Sequence, residues 1–255
     1  SNSRPYDMFL QDTASGVKYP MWVIATDGGY LDNPVMIDPN ATGAQTKLGV
    51  PKSLLMMPGE RYELIIDFAG IPAGSNLILR NTAPTVLGNP KASLDGRIMQ
   101  FRVSGTTPAG GDNSFDPTKG MPLRAGAPIV RLPGTPGGPV IDTANVGVTR
   151  MLTLNEVLGP LGPLEVLVNN SKWSGMRPDH SMIPGSTMVD GPNQGAFSFE
   201  GNALTEVPQE GTTEVWEILN LTMDSHPIHL HGLQFQLIDR QPFDMKAYMM
   251  TYDMA

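Results

Sequence analysis

The stretch Glu60-Arg-Tyr-Glu-Leu-Ile-Ile-Asp-Phe68, entered through Pro58-Gly59, decides the fold class. Successive side chains of an extended chain point to opposite faces, so Tyr62, Leu64 and Ile66 share one side of a strand. The same pattern of short apolar runs closed by turn residues extends both ways. Upstream, Tyr19-Pro-Met-Trp-Val-Ile-Ala25 ends at Thr26-Asp-Gly-Gly29, and Leu54-Leu-Met-Met57 ends at Pro58-Gly59. Downstream, Asn76 to Arg80 and Arg97-Ile-Met-Gln-Phe-Arg-Val103 follow. From Tyr6 to Val103 the chain therefore reads as an all-β sandwich.

Composition agrees with that reading. The 255 residues include 28 Gly and 24 Pro, about a fifth of the chain where roughly 12% is usual, which favours strands and turns over helices. With 40% apolar residues the chain can bury one or two cores. Between Gly105 and Gly147 Gly and Pro recur every few residues, as in an extended connection between domains. Strand patterns resume with Arg150-Met-Leu-Thr-Leu-Asn155, Leu164-Glu-Val-Leu-Val-Asn169 and Thr213-Glu-Val-Trp-Glu-Ile-Leu-Asn220. The expected organisation is a first domain over 1–105, a linker over 106–147 and a second domain over 148–255.

Several function classes are excluded early. A net charge of −8 leaves no basic surface for a polyanion, so nucleic acid is not an expected partner. No apolar run approaches the ~20 residues that cross a bilayer, so no membrane span is expected. The opening Ser1-Asn-Ser-Arg-Pro5 has neither the charged start nor the apolar core of a signal peptide, and without an initiator Met it reads as a processed, clipped or partial chain. With 0 Cys there is no disulfide framework, no thiolate nucleophile and no thiolate metal ligand.

One constellation carries chemistry. Of 4 His in the chain, three fall in His226-Pro-Ile-His229-Leu-His231. If the segment through Leu233-Gln-Phe-Gln-Leu-Ile238 is a strand, His229 and His231 project from one face, and Leu233, Phe235 and Leu237 continue that face as the margin of an apolar core. Two imidazoles so placed form a pair of metal ligands. His226, an odd number of residues away across Pro227, falls on the other side and serves a separate site. Imidazole suits Cu, Zn, Fe and Ni alike, so the donor type leaves the metal open. A cupin-type mononuclear site also begins with His-x-His, but it expects a Glu three or four residues on, where Gln234 and Phe235 stand.

Asp224-Ser-His-Pro-Ile-His-Leu-His-Gly232, with Gly211-Thr-Thr-Glu-Val-Trp-Glu-Ile-Leu-Asn220 before it and Phe235-Gln-Leu-Ile-Asp-Arg-Gln-Pro-Phe243 after it, resembles the third cupredoxin domain of multicopper oxidases. The bacterial laccase, spore-coat laccase and bilirubin oxidase group is the nearest in pattern. Asn2-Ser-Arg-Pro-Tyr6, Ile24-Ala-Thr-Asp-Gly-Gly-Tyr-Leu31, Pro58 to Asp67 and Ile98 to Val103 resemble the second domain of that family. The resemblance implies two cupredoxin-like Greek-key β-sandwich domains, both incomplete, the first lacking its N-terminal part and the second its closing Cys/His segment.

By position, the resemblance implies that copper is the cofactor. His226 would be a ligand of the type 1 copper, where electrons enter, and His229 and His231 would bind the type 2 and type 3 coppers, where dioxygen is reduced to water. It implies a parent enzyme that oxidises phenols or similar one-electron donors, with an extracytoplasmic or spore-coat-like location. The family builds its trinuclear site from four His-x-His pairs and its type 1 site with a Cys, whereas this chain has one pair and 0 Cys. The chain alone is therefore expected to be inactive and to need the missing first domain or a complementary chain. No catalytic proton-transfer residue is assigned.

A non-catalytic metal-binding or assembly module completed by another chain is the alternative, with a cupin-like metalloenzyme third. Among weaker signals, Met176, Met182 and Met188 surround His180, and Met245, Met249, Met250 and Met254 gather at the end. Thioethers favour Cu(I), but Met is foremost an adaptable packing residue. Asn220 and Asp224 are candidates for orienting ligand imidazoles, although residues of these types in loops are more often turn formers. Arg61 and Asp67 read as structural.

Overall fold

A computed structural model of the chain describes residues 5–83, 96–106, 112–124, 126–160, 162–169, 171–173, 197–199 and 206–253. The all-β expectation holds: among the described residues there are thirteen strands and only two short α-helices. The chain divides into two compact units, one formed by Ser1–Ile129 with Pro227–Phe235 and the other by Val130–His226 with Gln236–Ala255.

The first unit contains β1 (Tyr6–Asp12), β2 (Lys18–Tyr19), β3 (Met21–Thr26), β4 (Gly29–Ile37), β5 (Leu54–Met56), β6 (Tyr62–Ile65), β7 (Asn76–Asn81) and β8 (Arg97–Arg102). One sheet has the order β2-β1-β7-β8 with β5 also on β1, and the other has the order β4-β3-β6. Alternation explains the pairing of faces: Met8 and Leu10 of β1 and Met21, Val23 and Ala25 of β3 turn inward while their neighbours stay part-exposed. Their core mixes side chains of both sheets, with Met8, Leu10, Leu54, Leu77 and Leu79 meeting Met21, Val23 and Ile37. That is a sandwich. Tyr62, Leu64 and Ile66 pack against this cluster together, as the alternation of Glu60–Phe68 predicts.

Turn chemistry fixes the strand order. Asp12 closes β1 by accepting from the Ala14 and Ser15 main-chain N–H groups and the Ser15 hydroxyl. Asp27-Gly28 forms the two-residue connection of the β3–β4 hairpin, where Thr26 pairs with Gly29. The short helix α1 (Gly43–Lys47) is held by a capping box between Thr42 and Gln45.

The second unit is built on one mixed sheet of β9 (Val148–Gly159), β10 (Gly162–Val168), β11 (Ser171–Trp173), β12 (Phe197–Phe199) and β13 (Glu214–Asn220), in the order β12-β11-β10-β9-β13. β9 and β13 run parallel from Val148↔Glu214 to Leu154↔Asn220. Arg150 bridges that pair by donating to both Glu214 oxygens, at 2.7 and 2.8 Å, and Trp216 Nε1 donates to the same carboxylate at 2.8 Å. The Arg150 guanidinium, with Trp216, holds the Glu214 carboxyl down at about 2.

The connecting stretch is fastened within each unit. In the first, the Leu123 N–H donates to the Asp32 carbonyl and the Ile129 N–H to the Asp32 carboxylate. In the second, the Gln236 side chain accepts from the Leu132 N–H and the Thr135 hydroxyl and donates to the Val130 carbonyl.

One expectation is corrected. Residues 225–244 form no strand, and Leu233, Phe235 and Leu237 are 64%, 52% and 54% exposed instead of continuing a buried face. Alternation orders side chains only where a ladder holds the backbone extended, and no strand among the described residues pairs with this segment. The Met-rich end forms the helix α2 (Met245–Asp253), a regular element that the turn-rich composition did not anticipate. Met176, His180, Met182, Met188 and Met254 lie outside the described residues.

Leu10 is fully buried and Leu48 is 85% exposed. Leu10→Ala should cost about 2–5 kcal/mol in urea unfolding, and Leu48→Ala should stay within about 0.5 kcal/mol. Glu214 has a lowered folded-state pKa, so its contribution is present above pH 4.5 and is lost as the pH falls toward about 2. Glu214→Gln should therefore lower the urea midpoint at neutral pH and flatten its decline over that acid window. A midpoint-against-pH curve parallel to that of the unaltered chain would contradict the pairing.

Candidate metal centre

The structure brings His229 and His231 together. Their rings stand edge to face with centroids 4.7 Å apart. This proximity arises without the strand that the sequence suggested, since the segment carrying them is irregular. Both belong to the first unit, and His226 belongs to the second.

His229 is gripped from the hairpin tip between β3 and β4. Its Nδ1 lies 3.0 Å from Asp27 Oδ2. A carboxylate only accepts, so Nδ1 carries the proton and donates, leaving the Nε2 lone pair free for a metal. Asp27 is itself fixed: its Oδ1 accepts from the Arg61 main-chain N–H and from Arg61 Nε, and its carbonyl accepts from Arg61 Nη2. Partial burial alone would raise the Asp27 pKa, but these Arg61 hydrogen bonds and His229 outweigh it and hold the carboxyl below its ordinary value. Arg61, read from sequence as structural, is the residue that anchors this carboxylate.

His226 has a different environment. Its Nε2 lies 2.7 Å from Thr222 Oγ1 and 3.5 Å from Glu156 Oε1 on β9, and its side chain is 17% exposed. The Thr222 hydroxyl has an acceptor in Asn220 Oδ1 at 2.8 Å, so it can give its proton there and accept from His226 Nε2. The ring then presents Nδ1. Asn220 thus acts on His226 through Thr222, also accepting from the Thr222 N–H and donating to the Asp224 carbonyl. Asp224 enters this turn through its main chain, its N–H donating to Thr222 Oγ1.

The donor set suits a borderline metal such as copper. Two adjacent imidazoles occur in the first unit, and His229 and His226 each have one nitrogen engaged by an oxygen and the other open. Among the described residues no group of three or more His, Cys, Asp or Glu side chains is placed to hold a metal by itself. Asp27, Thr222 and Glu156 escaped the sequence reading. Asp27 meets His229 across 202 positions, a separation at which nothing in a single sequence signals contact.

A family model described as multicopper oxidase matches residues 171–254. Over 98% of its length the chain is 29% identical to a laccase of Bacillus stratosphericus. Over 100% it is 28% identical to a laccase of Bacillus subtilis (strain 168), and over 95% it is 31% identical to a laccase of Haloferax volcanii. It spans only 37%, 37% and 32% of these relatives, about a third of their length. Among solved structures, it is similar to the 2F4 variant of the McoA multicopper oxidase from Aquifex aeolicus, at 21% identity and a TM-score of 0.40, covering 69% of this chain and 30% of that one. A laccase from Pediococcus acidilactici is 15% identical with a TM-score of 0.44, covering 87% of this chain and 31% of that one.

Proposed function

The chain belongs to the multicopper oxidase family, and from that premise we propose that it is the part of a laccase-like copper oxidase that supplies ligands to two kinds of copper site. The observation that carries this reading is the adjacent pair His229 and His231, with the Nε2 of His229 left open by Asp27. His229 and His231 would hold copper of the oxygen-reducing centre, and His226 would hold type 1 copper through Nδ1. Copper bound there supplies one-electron redox chemistry between a phenolic or similar donor and dioxygen.

The protein's own residues orient the ligands. Asn220 and Thr222 set the turn that presents His226, while Glu156 gives its Nε2 a second oxygen partner. The cupredoxin-like sandwich of the first unit supplies the rigid hairpin behind His229. A ligand pair alone binds metal weakly, so the remaining ligands come from elsewhere in the oxidase, a missing domain or a complementary chain. With 0 Cys, this chain forms no thiolate-bound blue copper site. An extracytoplasmic or spore-coat-like setting goes with this reading.

The mononuclear cupin-like alternative needs a carboxylate bound beside the two imidazoles. Asp27 instead faces the Nδ1 edge of His229 and hydrogen-bonds to it, which supports an orienting carboxylate over a ligand.

Calorimetric titration with Cu(II) tests the proposal. Replacing His229 and His231 together by Ala should weaken binding by about tenfold or more, and the copper-loaded chain should neither turn blue nor oxidise a phenolic dye. Unchanged copper affinity in the double variant, or robust turnover by the chain alone, would contradict it.

A further inference from the structure

The hairpin tip Thr26-Asp27-Gly28-Gly29 enters the reading above only through the contact of Asp27 with His229 and through its resemblance to a family motif. Three contacts within the first unit tie it to the histidine segment. Asp27 Oδ2 meets His229 Nδ1 at 3.0 Å, and Gln234 Nε2 donates to Thr26 Oγ1 at 3.3 Å. Gly28 completes the set: a Cβ there would collide with Gln234 Cγ, so Gln234 lies directly over the glycine.

The segment 227–235 is irregular, and among the described residues no strand ladder fixes its backbone. Side-chain contacts therefore carry the positioning. It nevertheless groups with the first unit, the one that contains this hairpin.

We propose that the hairpin tip is the seat of the histidine segment, with Asp27 the positioning residue that keeps His229 in the Nδ1-protonated form and so holds Nε2 open for the metal. This rests on the assignment of His229 as a copper ligand. Asp27 fits the task because its oxygens are divided. Oδ1 is occupied by the Arg61 N–H groups, which lock the carboxylate plane, and Oδ2 is left for the imidazole. The same arrangement predicts the effect of an amide. In Asp27→Asn the remaining oxygen stays with the Arg61 N–H, and the new NH2 group faces His229 Nδ1 as a donor. The ring must then accept at Nδ1 and carry its proton on Nε2, the nitrogen the metal needs.

The test is long-range nitrogen-proton NMR of the imidazoles in the full, copper-free chain, above the histidine titration range, with the His229 signals assigned by their loss in His229→Gln. The unaltered chain should show His229 protonated at Nδ1. An Nε2-protonated ring would overturn the proposal whether or not any variant folds. Asp27→Asn should move the proton to Nε2 and weaken Cu(II) binding by about 10–100-fold, a typical cost of losing a partner that orients a ligand. Gln234→Ala, which leaves both carboxylate oxygens in place, should keep the Nδ1 proton. An unchanged ring and affinity in Asp27→Asn would overturn the role of Asp27. His229→Ala separates the two ideas. If it binds copper as the unaltered chain does, the ligand assignment fails. If it loses copper while Asp27→Asn keeps both tautomer and affinity, only the positioning role fails.

Discussion

A single carboxylate constrains the chemistry of the first unit. Asp27 sits where the β3–β4 hairpin reverses, held by Arg61 at one oxygen and turned toward His229 with the other. Imidazole has two nitrogens of different use, and a metal takes only one that lacks a proton. Deciding which nitrogen carries the proton is thus a precondition for binding, and here a hairpin tip distant in sequence decides it. The sandwich core behind β3 gives the carboxylate a rigid base, since Met21, Val23 and Ala25 on that strand are buried.

The second unit solves the same problem with other parts. His226 offers Nε2 to a hydroxyl and a nearby carboxylate, Thr222 and Glu156, and so presents the opposite nitrogen, Nδ1. The parallel pair β9–β13 supports this arrangement from its C-terminal end, where Asn220 pairs with Leu154. Glu156 projects from β9, and Asn220 at the end of β13 starts the turn that carries Thr222 and His226. The buried side of that strand pair is stapled by Arg150 and Glu214, whose mutual attraction keeps the carboxyl ionised well into acid.

The strand content of the first half was legible because alternation and turn residues are local signals. Tyr62, Leu64 and Ile66 pack as their spacing implies, and Asp27-Gly28 makes the tight hairpin that such a dipeptide favours. The histidine pair was legible as a cluster but for an incomplete reason. The rings meet, although the segment through Ile238 is not a strand and its apolar residues stay exposed. Alternating residues report a strand only when a partner supplies hydrogen bonds, and that partner is a tertiary fact. The orienting residues were hidden for the same cause: Asp27 lies 202 positions from His229, and Glu156 stands just past the strand run Arg150–Asn155 with no local sign of its contact with His226.

Everything proposed for the oxidase depends on His229 and His231 both being copper ligands; in the whole enzyme they would serve two different coppers, but in the chain alone the adjacent rings are free to share one added Cu(II) ion. Pulsed electron paramagnetic resonance of the chain loaded with one equivalent of Cu(II) tests it most directly, because the remote nitrogen of each bound imidazole modulates the signal. The expected signal carries the combination lines of two imidazoles on a single copper, reduced to a one-imidazole pattern in His231→Ala. A one-imidazole pattern in the unaltered chain, or a two-imidazole pattern that survives His231→Ala, would contradict it.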